Sequence, residues 1–213
     1  FAVIKTNVTP KDCQNMNKEE IDFFNRLAPI WEAEEGLATP EKIKSILDKL
    51  TIKNGYRIAD LGTGTGVLVP YLSERVGKNG KVTAIDASPE MLRIAKQKFG
   101  ETENVEFVQA DFEEEPIKGS YDMVLLYSVY PHLHRPIATL GRLTEENLTS
   151  DGRIIIAFPT DEKFINSIHH DRKSDSDLLP AADVLTSRLK ANNLTAETIA
   201  YNEGEYIVEI RKK

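Results

Sequence analysis

After a polar start, Ile21, Phe24, Leu27, Ile30 and Trp31 recur at near-helical spacing. This predicts an amphipathic helix over 18–34, interrupted at Pro29. A second helix follows, with Thr39 as cap, Pro40 in the first turn and one apolar stripe of Ile43, Ile46, Leu47 and Leu50. From Tyr56 the pattern changes. Short apolar runs near 56–61, 81–86, 104–109, 121–127 and 153–158 alternate with helical stretches near 65–76, 89–98 and 136–147. Such alternation is the signature of repeated strand–helix units and a largely parallel sheet, an α/β fold. Ser88-Pro89-Glu90 starts the second of these helices: a hydroxyl cap, a proline in the first turn and a carboxylate at the positive helix end. The chain closes differently. Residues 178–192 read as a helix, and 194–201 with 205–211 as strands joined around Asn202-Glu203-Gly204, a hairpin that makes the final pair antiparallel.

A length of 213 residues predicts one domain, with residues 1–50 as an N-terminal helical extension or lid and 51–213 as the core. No apolar run approaches the ~20 residues of a membrane span. The first residue is Phe1, so the absence of a targeting segment bears only on the expectation of a cytoplasmic protein, with which the lone Cys13 agrees. One cysteine excludes an internal disulfide framework and any CxxC zinc site. A formal charge of −7 argues against a chain built to neutralise a phosphate backbone, so nucleic acid is not the expected partner. The acidic run Glu113-Glu114-Glu115 reads as a solvated loop. Oligomeric state stays open, a homodimer included.

The strongest chemical signal follows the first strand. Ile58-Ala59-Asp60-Leu61 runs into Gly62-Thr63-Gly64-Thr65-Gly66, and a helix with Val67, Leu68, Tyr71 and Leu72 comes next. Glycines let the chain turn sharply and let a ligand approach the backbone without a Cβ in the way. A dinucleotide site would want its third glycine where Val67 stands, so the spacing favours S-adenosyl-L-methionine over NAD. The second strand ends in Asp86, about 20 residues on, where a carboxylate can accept both ribose hydroxyls. After the third strand, Asp111 is placed for an adenine amino group and Phe112 for the ring.

The ordered series Ala59-Asp60-Leu61-Gly62-Thr63-Gly64-Thr65-Gly66, Ala84-Ile85-Asp86-Ala87-Ser88-Pro89-Glu90-Met91-Leu92, Gln109-Ala110-Asp111 and Tyr121-Asp122-Met123-Val124 resembles the successive motifs of class I methyltransferases. The resemblance covers roughly residues 55–160. Within that superfamily the chain is most similar to the small-molecule branch holding the ubiquinone and menaquinone biosynthesis methyltransferases, partly through Phe24-Asn25-Arg26-Leu27-Ala28-Pro29. It implies a Rossmann-like, seven-stranded, mostly parallel sheet with helices on both faces and a reversed last strand. It also implies S-adenosyl-L-methionine as cofactor, S-adenosyl-L-homocysteine as product and a small-molecule methyl acceptor. Asp60 and the glycines Gly62, Gly64 and Gly66 would surround the methionine moiety, Asp86 the ribose, and Asp111 with Phe112 the adenine; Thr63, Ala87, Met91 and Tyr127 join this cofactor set.

For the acceptor, two strand ends remain: Tyr127-Ser128-Val129-Tyr130-Pro131-His132-Leu133-His134-Arg135, and Phe158-Pro159-Thr160 followed by the helix-like 164–171. All four histidines fall in these two segments. Methyl transfer needs an acceptor atom in line with the methyl and, where required, a group that takes up a proton. His132 leads as general base or orienting group, with Tyr127, Tyr130 and His134 as neighbours. No metal set is assigned firmly; His132, His134, His169 and His170, with Asp171, form a candidate cluster for a divalent ion. Phe23, Phe24 and Trp31 could supply the apolar wall of a lid. The alternatives are an NAD-dependent oxidoreductase and a noncatalytic adenosylmethionine- or metal-binding module.

Overall fold

The computed structural model describes residues 10–31, 38–168 and 178–212, with side chains from residue 18 onward. Helix α1 (Pro10–Leu27) stops two residues before Pro29, which has no N–H to give the helix ladder. The last turn still closes, Ala28 N donating to Phe24 O at 2.9 Å. Helix α2 (Pro40–Asp48) starts where expected, with the Thr39 hydroxyl accepting from Lys42 N, and buries Ile43, Ile46 and Leu47.

The remaining elements alternate as β1 (Arg57–Leu61), α3 (Val69–Val76), β2 (Lys81–Asp86), α4 (Pro89–Phe99), β3 (Val105–Gln109), β4 (Tyr121–Tyr127), a 3₁₀ turn (Tyr130–His132), α5 (Pro136–Glu146), β5 (Leu148–Phe158), α6 (Glu162–Ile168), α7 (Ala182–Ala191), β6 (Thr195–Asn202) and β7 (Glu205–Arg211). Several bounds depart from expectation: α1 begins at Pro10 rather than 18 and β5 at Leu148 rather than 153, and two further helices depart for local reasons. Helix α3 begins at Val69 rather than 65, because Gly66 at φ +84° keeps the glycine turn out of helical geometry and Pro70 belongs to a first turn. Helix α7 is shorter at both ends, following Pro180 and ending before Asn193, whose φ is +64°.

The seven strands form one sheet in the order β3-β2-β1-β4-β5-β7-β6. Strands β1 to β5 pair in parallel, Ile58 lying between Val82 and Met123, while β7 enters antiparallel between β5 and β6. The hairpin turn is where the sequence puts it, with Gly204 N donating to Asn202 Oδ1. Being covered on both faces, the central strands are continuously apolar: Met123 to Leu126 and Ile154 to Ala157 are fully buried. Alternate residues feed two cores, one sharing Val124, Leu126, Ile154 and Ile156 with Leu140 and Leu143 of α5 and Leu185 and Leu189 of α7. The other joins Met123, Leu125 and Ile155 to Ile43, Ile46 and Leu47 of α2 and Leu68 and Leu72 beside the glycine turn. Each such enclosed side chain contributes about 1.5–3 kcal/mol. Because the chain moves outward from β1 to β3 and then returns to β4 on the other side, a crevice opens at the carboxyl ends of β1 and β4.

Candidate active site

The turn after β1 is pinned to its neighbour: Gly62 N and Thr63 N both donate to Ile85 O, at 2.8 and 3.0 Å. Gly62 has φ +70°, and a Cβ there would stand 2.6 Å from Val129 Cγ2. Gly64, at φ +56°, has only Trp31 Nε1 near the place of a Cβ, at 3.9 Å, so its bare backbone borders open cavity. Gly66 instead packs against Phe99 and Ala95 and is not part of the cavity wall.

Asp86, ending β2, ties this turn to the next helix. Its Oδ2 accepts from Gly64 N and its Oδ1 from Ser88 N, both at 2.8 Å. Burial pushes its carboxyl up, opposed by the amides of Ser88, Gly64 and Ala87. Ser88 Oγ meanwhile caps α4 by accepting from Met91 N, so capping and the carboxylate's role fall to separate residues as the sequence reading had it. Asp60 lies behind the wall, 2% exposed, with Thr63 Oγ1 donating to its Oδ2 at 2.7 Å. Burial raises its pKa to about 7; the Thr63 hydrogen bond opposes this and the Asp86 charge adds to it.

Asp111 lines the cavity and also builds a turn, its Oδ1 accepting from Glu113 N at 3.0 Å, while Phe112 beside it is buried. Glu113 departs from the expected solvated loop. Its carboxylate accepts from His134 N, Arg135 N and Thr139 Oγ1 at 2.8–3.0 Å, and so fixes the segment leading into α5. Glu114 pairs with Arg135 at 2.6 Å.

On the acceptor side, β4 delivers Tyr127, Ser128, Val129, His132, Leu133 and His134 to the cavity. Ser128 holds φ +59°, rare for a residue with a Cβ, and so turns the chain sharply off the strand. No residue pattern marks that conformation. Helix α1 crosses above and supplies Glu20, Ile21 and Phe24, with Trp31 after it. Glu20, which the sequence reading did not single out, bridges two histidines: Oε1 lies 2.7 Å from His132 Nδ1 and Oε2 3.2 Å from His134 Nε2. Phe24 meets the His132 ring edge-on at 5.0 Å and the Trp31 ring at 5.6 Å. Asn25 fastens the helix from the other side, its Oδ1 accepting from Ser88 Oγ at 2.7 Å.

Two expectations are corrected. Tyr130 is turned into the core, 2% exposed and absent from the cavity wall, because the 3₁₀ turn sends it inward beneath His132. Phe23 points outward at 46% exposure, leaving the wall to Phe24 and Trp31. Among the described residues no three His, Cys, Asp or Glu side chains come together to hold a metal ion; His169, His170 and Asp171 lie outside the described residues.

A sheet of this order, with a glycine turn after β1 and acidic side chains at the ends of β2 and beyond β3, defines the class I methyltransferase fold. A family model described as a methyltransferase domain matches residues 52–203. The malonyl-[acyl-carrier protein] O-methyltransferase of Acetivibrio thermocellus is 35% identical over 118 residues, 54% of this chain and 40% of that protein. A Staphylococcus aureus demethylmenaquinone methyltransferase is 36% identical over 84 residues, 39% of this chain and 35% of that protein. The chain thus spans less than half the length of the curated relatives it matches. Among solved structures, a DhpI-SAM-HEP complex superposes with a TM-score of 0.73 at 20% identity, covering 92% of this chain and 97% of that one. A SAM-dependent methyltransferase from Aquifex aeolicus gives 0.67 at 21%, covering 83% and 95%.

The chain belongs to this methyltransferase family and carries its S-adenosylmethionine-dependent domain. Nothing favours the oxidoreductase or noncatalytic alternatives. No helix among the described residues is long and apolar enough to cross a membrane.

Proposed function

We propose that the protein transfers the methyl group of S-adenosyl-L-methionine to a small-molecule acceptor held between the glycine turn and the β4 loop, with S-adenosyl-L-homocysteine as second product. The observation carrying this reading is the pair formed by Gly64 and Asp86. A glycine whose bare backbone borders the cavity stands beside a buried carboxylate, a cradle that a Cβ would narrow and an acceptor suited to a polar, partly cationic ligand. Asp86, Ala87 and Met91 would hold the ribose side, Asp111 and Phe112 the adenine, and Gly62, Thr63, Gly64 and Tyr127 the methionine end; Asp60, through Thr63, and Gly66 support the turn from behind. The bound cofactor supplies an electrophilic methyl on a sulfonium, which leaves as the acceptor bond forms and the electron pair returns to sulfur.

The chain's own residues do the rest. His132 orients the acceptor and takes its proton where there is one to lose. In this reading residues 1–50 are an extension over the core at 51–213, with α1 as a lid: Phe24 and Trp31 exclude water while Glu20 and Asn25 fasten the helix. Four carboxylates, Glu20, Asp86, Asp111 and Glu113, line the cavity, and no Lys or Arg does among the described residues. That balance favours a neutral or cationic acceptor over an anionic one. A cytoplasmic location and a homodimer belong to the same proposal, checked by fractionation and light scattering.

The test is calorimetry with S-adenosylmethionine and with NADH, followed by transfer of label from the methyl-labelled cofactor into a metabolite extract. Binding of the first ligand alone, with label appearing in a small molecule, is the expected result. Binding of NADH, or label confined to protein or nucleic acid, would overturn the reading.

A further inference from the structure

Trp31, the single tryptophan of the chain, brings a polar atom to the glycine turn from outside the sheet. Its Nε1 stands 3.9 Å from the place a Gly64 Cβ would occupy, and among the described residues no other side chain comes within 4 Å of that point. The chain delivers the ring there by short-range means. Pro29 ends α1, Ile30 N donates to Leu27 O at 2.9 Å to close the turn, and the indole packs edge-on against Phe24 at 5.6 Å. Asn25 fastens this part of the helix to the start of α4 through Ser88. A phenylalanine would fill the same wall; an indole adds one N–H that donates and cannot accept. Among the described residues that N–H meets no acceptor.

The amino-acid end of S-adenosylmethionine carries an ammonium and a carboxylate. The four cavity carboxylates suit the first and repel the second, and among the described residues no Lys or Arg lines the wall. Many polar groups around the glycine turn are already committed within the protein. Gly62 N and Thr63 N donate to Ile85 O, Gly64 N to Asp86 and Gly66 N to Thr63 O. The Thr63 hydroxyl goes to Asp60, the Ser88 hydroxyl to Asn25, and both cavity imidazoles pair with Glu20. A carboxylate entering here needs a donor from outside these pairs, and the Trp31 N–H stands over the turn.

We propose that Trp31 is a cofactor-binding residue whose indole N–H donates to the carboxylate at the methionine end of S-adenosylmethionine. The inference rests on the methyltransferase reading and adds to it a residue ahead of the matched domain, which spans 52–203. A hydrogen bond to an ionised oxygen is about twice as strong as one between neutral groups, and shielding from water by α1 strengthens it. The region after α1 thereby reads the amino-acid end of the ligand. An adenosyl compound without that end gains only apolar contact from Trp31.

The experiment uses the full chain, native and Trp31→Phe, with two probes: S-adenosylhomocysteine, and methylthioadenosine, which keeps the adenosine and the sulfur and lacks the amino-acid end. Calorimetry should show Trp31→Phe losing about tenfold in affinity for S-adenosylhomocysteine, the scale of one hydrogen bond to a charged group, and less than about twofold for methylthioadenosine. A loss for the first probe at least about fivefold larger than for the second supports the proposal. A smaller difference overturns it and leaves Trp31 as apolar wall. Should Trp31→Phe fail to fold, the native chain still decides, because its one indole N–H gives one peak in proton–nitrogen correlation spectra. That peak should move downfield with S-adenosylhomocysteine and not with methylthioadenosine; the same position with both probes overturns the proposal. No binding of S-adenosylhomocysteine by the native chain would overturn the methyltransferase reading and this proposal with it, whereas binding that Trp31→Phe leaves intact overturns the proposal alone.

Discussion

The Asp86 carboxylate accepts a hydrogen bond from the backbone N–H of Gly64 at 2.8 Å, so the acidic end of β2 and the glycine turn after β1 are one structure. Loss of that carboxylate frees the turn and, in the proposed function, removes a ligand contact. Asp86→Ala is therefore expected to weaken S-adenosylmethionine binding by about a hundredfold or more, the scale of two or more charge-assisted hydrogen bonds. Calorimetry measures it; near-native affinity would refute the assignment of Asp86 to the ribose.

Gly62 and Gly64 should fail in different ways. Gly62→Ala forces a Cβ against Val129 in a left-handed backbone conformation, at an expected cost of roughly 2–4 kcal/mol by chemical denaturation. Adding Val129→Ala should relieve the clash and leave only the backbone part, about 1–2 kcal/mol. Gly64→Ala meets no protein atom closer than 3.9 Å, so it should cost only the backbone part, about 1–2 kcal/mol, besides its effect on cofactor affinity. Equal losses of stability at both positions would contradict this division.

Asp60, with its pKa raised to about 7, carries a pH signature. The folded state holds this proton where an unfolded carboxyl has already lost it, so between about pH 4 and 7 stability falls as pH rises. Asp60→Asn should raise the stability of the ligand-free protein at pH 8 by roughly 2 kcal/mol while leaving it little changed at pH 4. Thermal melts at the two pH values test this. A mutant less stable than native at pH 8 would show that the ionised carboxylate is well satisfied.

His134 gives the opposite sign. A histidine raised by its carboxylate partner contributes stability in full below its unfolded pKa, and that contribution is lost as pH rises through the raised folded value. Docking of α1 should accordingly loosen above neutrality. Trp31 is the single tryptophan and packs against Phe24, so its emission reports the docking directly. A red shift on the alkaline side, absent in Glu20→Ala, is expected; a native spectrum flat from pH 6 to 9 would argue against the contact.

Tyr130 and Tyr127 should separate in kinetics once an acceptor is in hand. Tyr130 lies in the core away from the cavity, and Tyr130→Phe should leave turnover within about twofold, whereas Tyr127→Phe alters a side chain of the wall. Comparable loss in both would mean that Tyr130 reaches the reaction by a route the fold does not display.

The sequence by itself determined the order of strands and helices, the Thr39 and Ser88 caps, the terminal hairpin and the glycine turn on which the proposed cofactor half of the site is built. All of these depend on neighbours close along the chain: apolar periodicity, a hydroxyl three residues before its amide, a glycine where no Cβ fits. Even there, the start of α3 escaped notice because the left-handed backbone at Gly66 is a conformation rather than a composition. Only the tertiary structure decided the acceptor half. Glu20 and His132 are 112 residues apart, and Glu113 holds the amides of His134 and Arg135, 21 and 22 residues on. Such pairings are set by where the sheet's strand order brings loops together, and an acidic residue on a surface helix looks the same in sequence whether it meets water or two histidines. The inward turn of Tyr130 and the left-handed Ser128 have the same origin: they answer to the packing of the loop after β4 against α1 and the core, a constraint that no local pattern records.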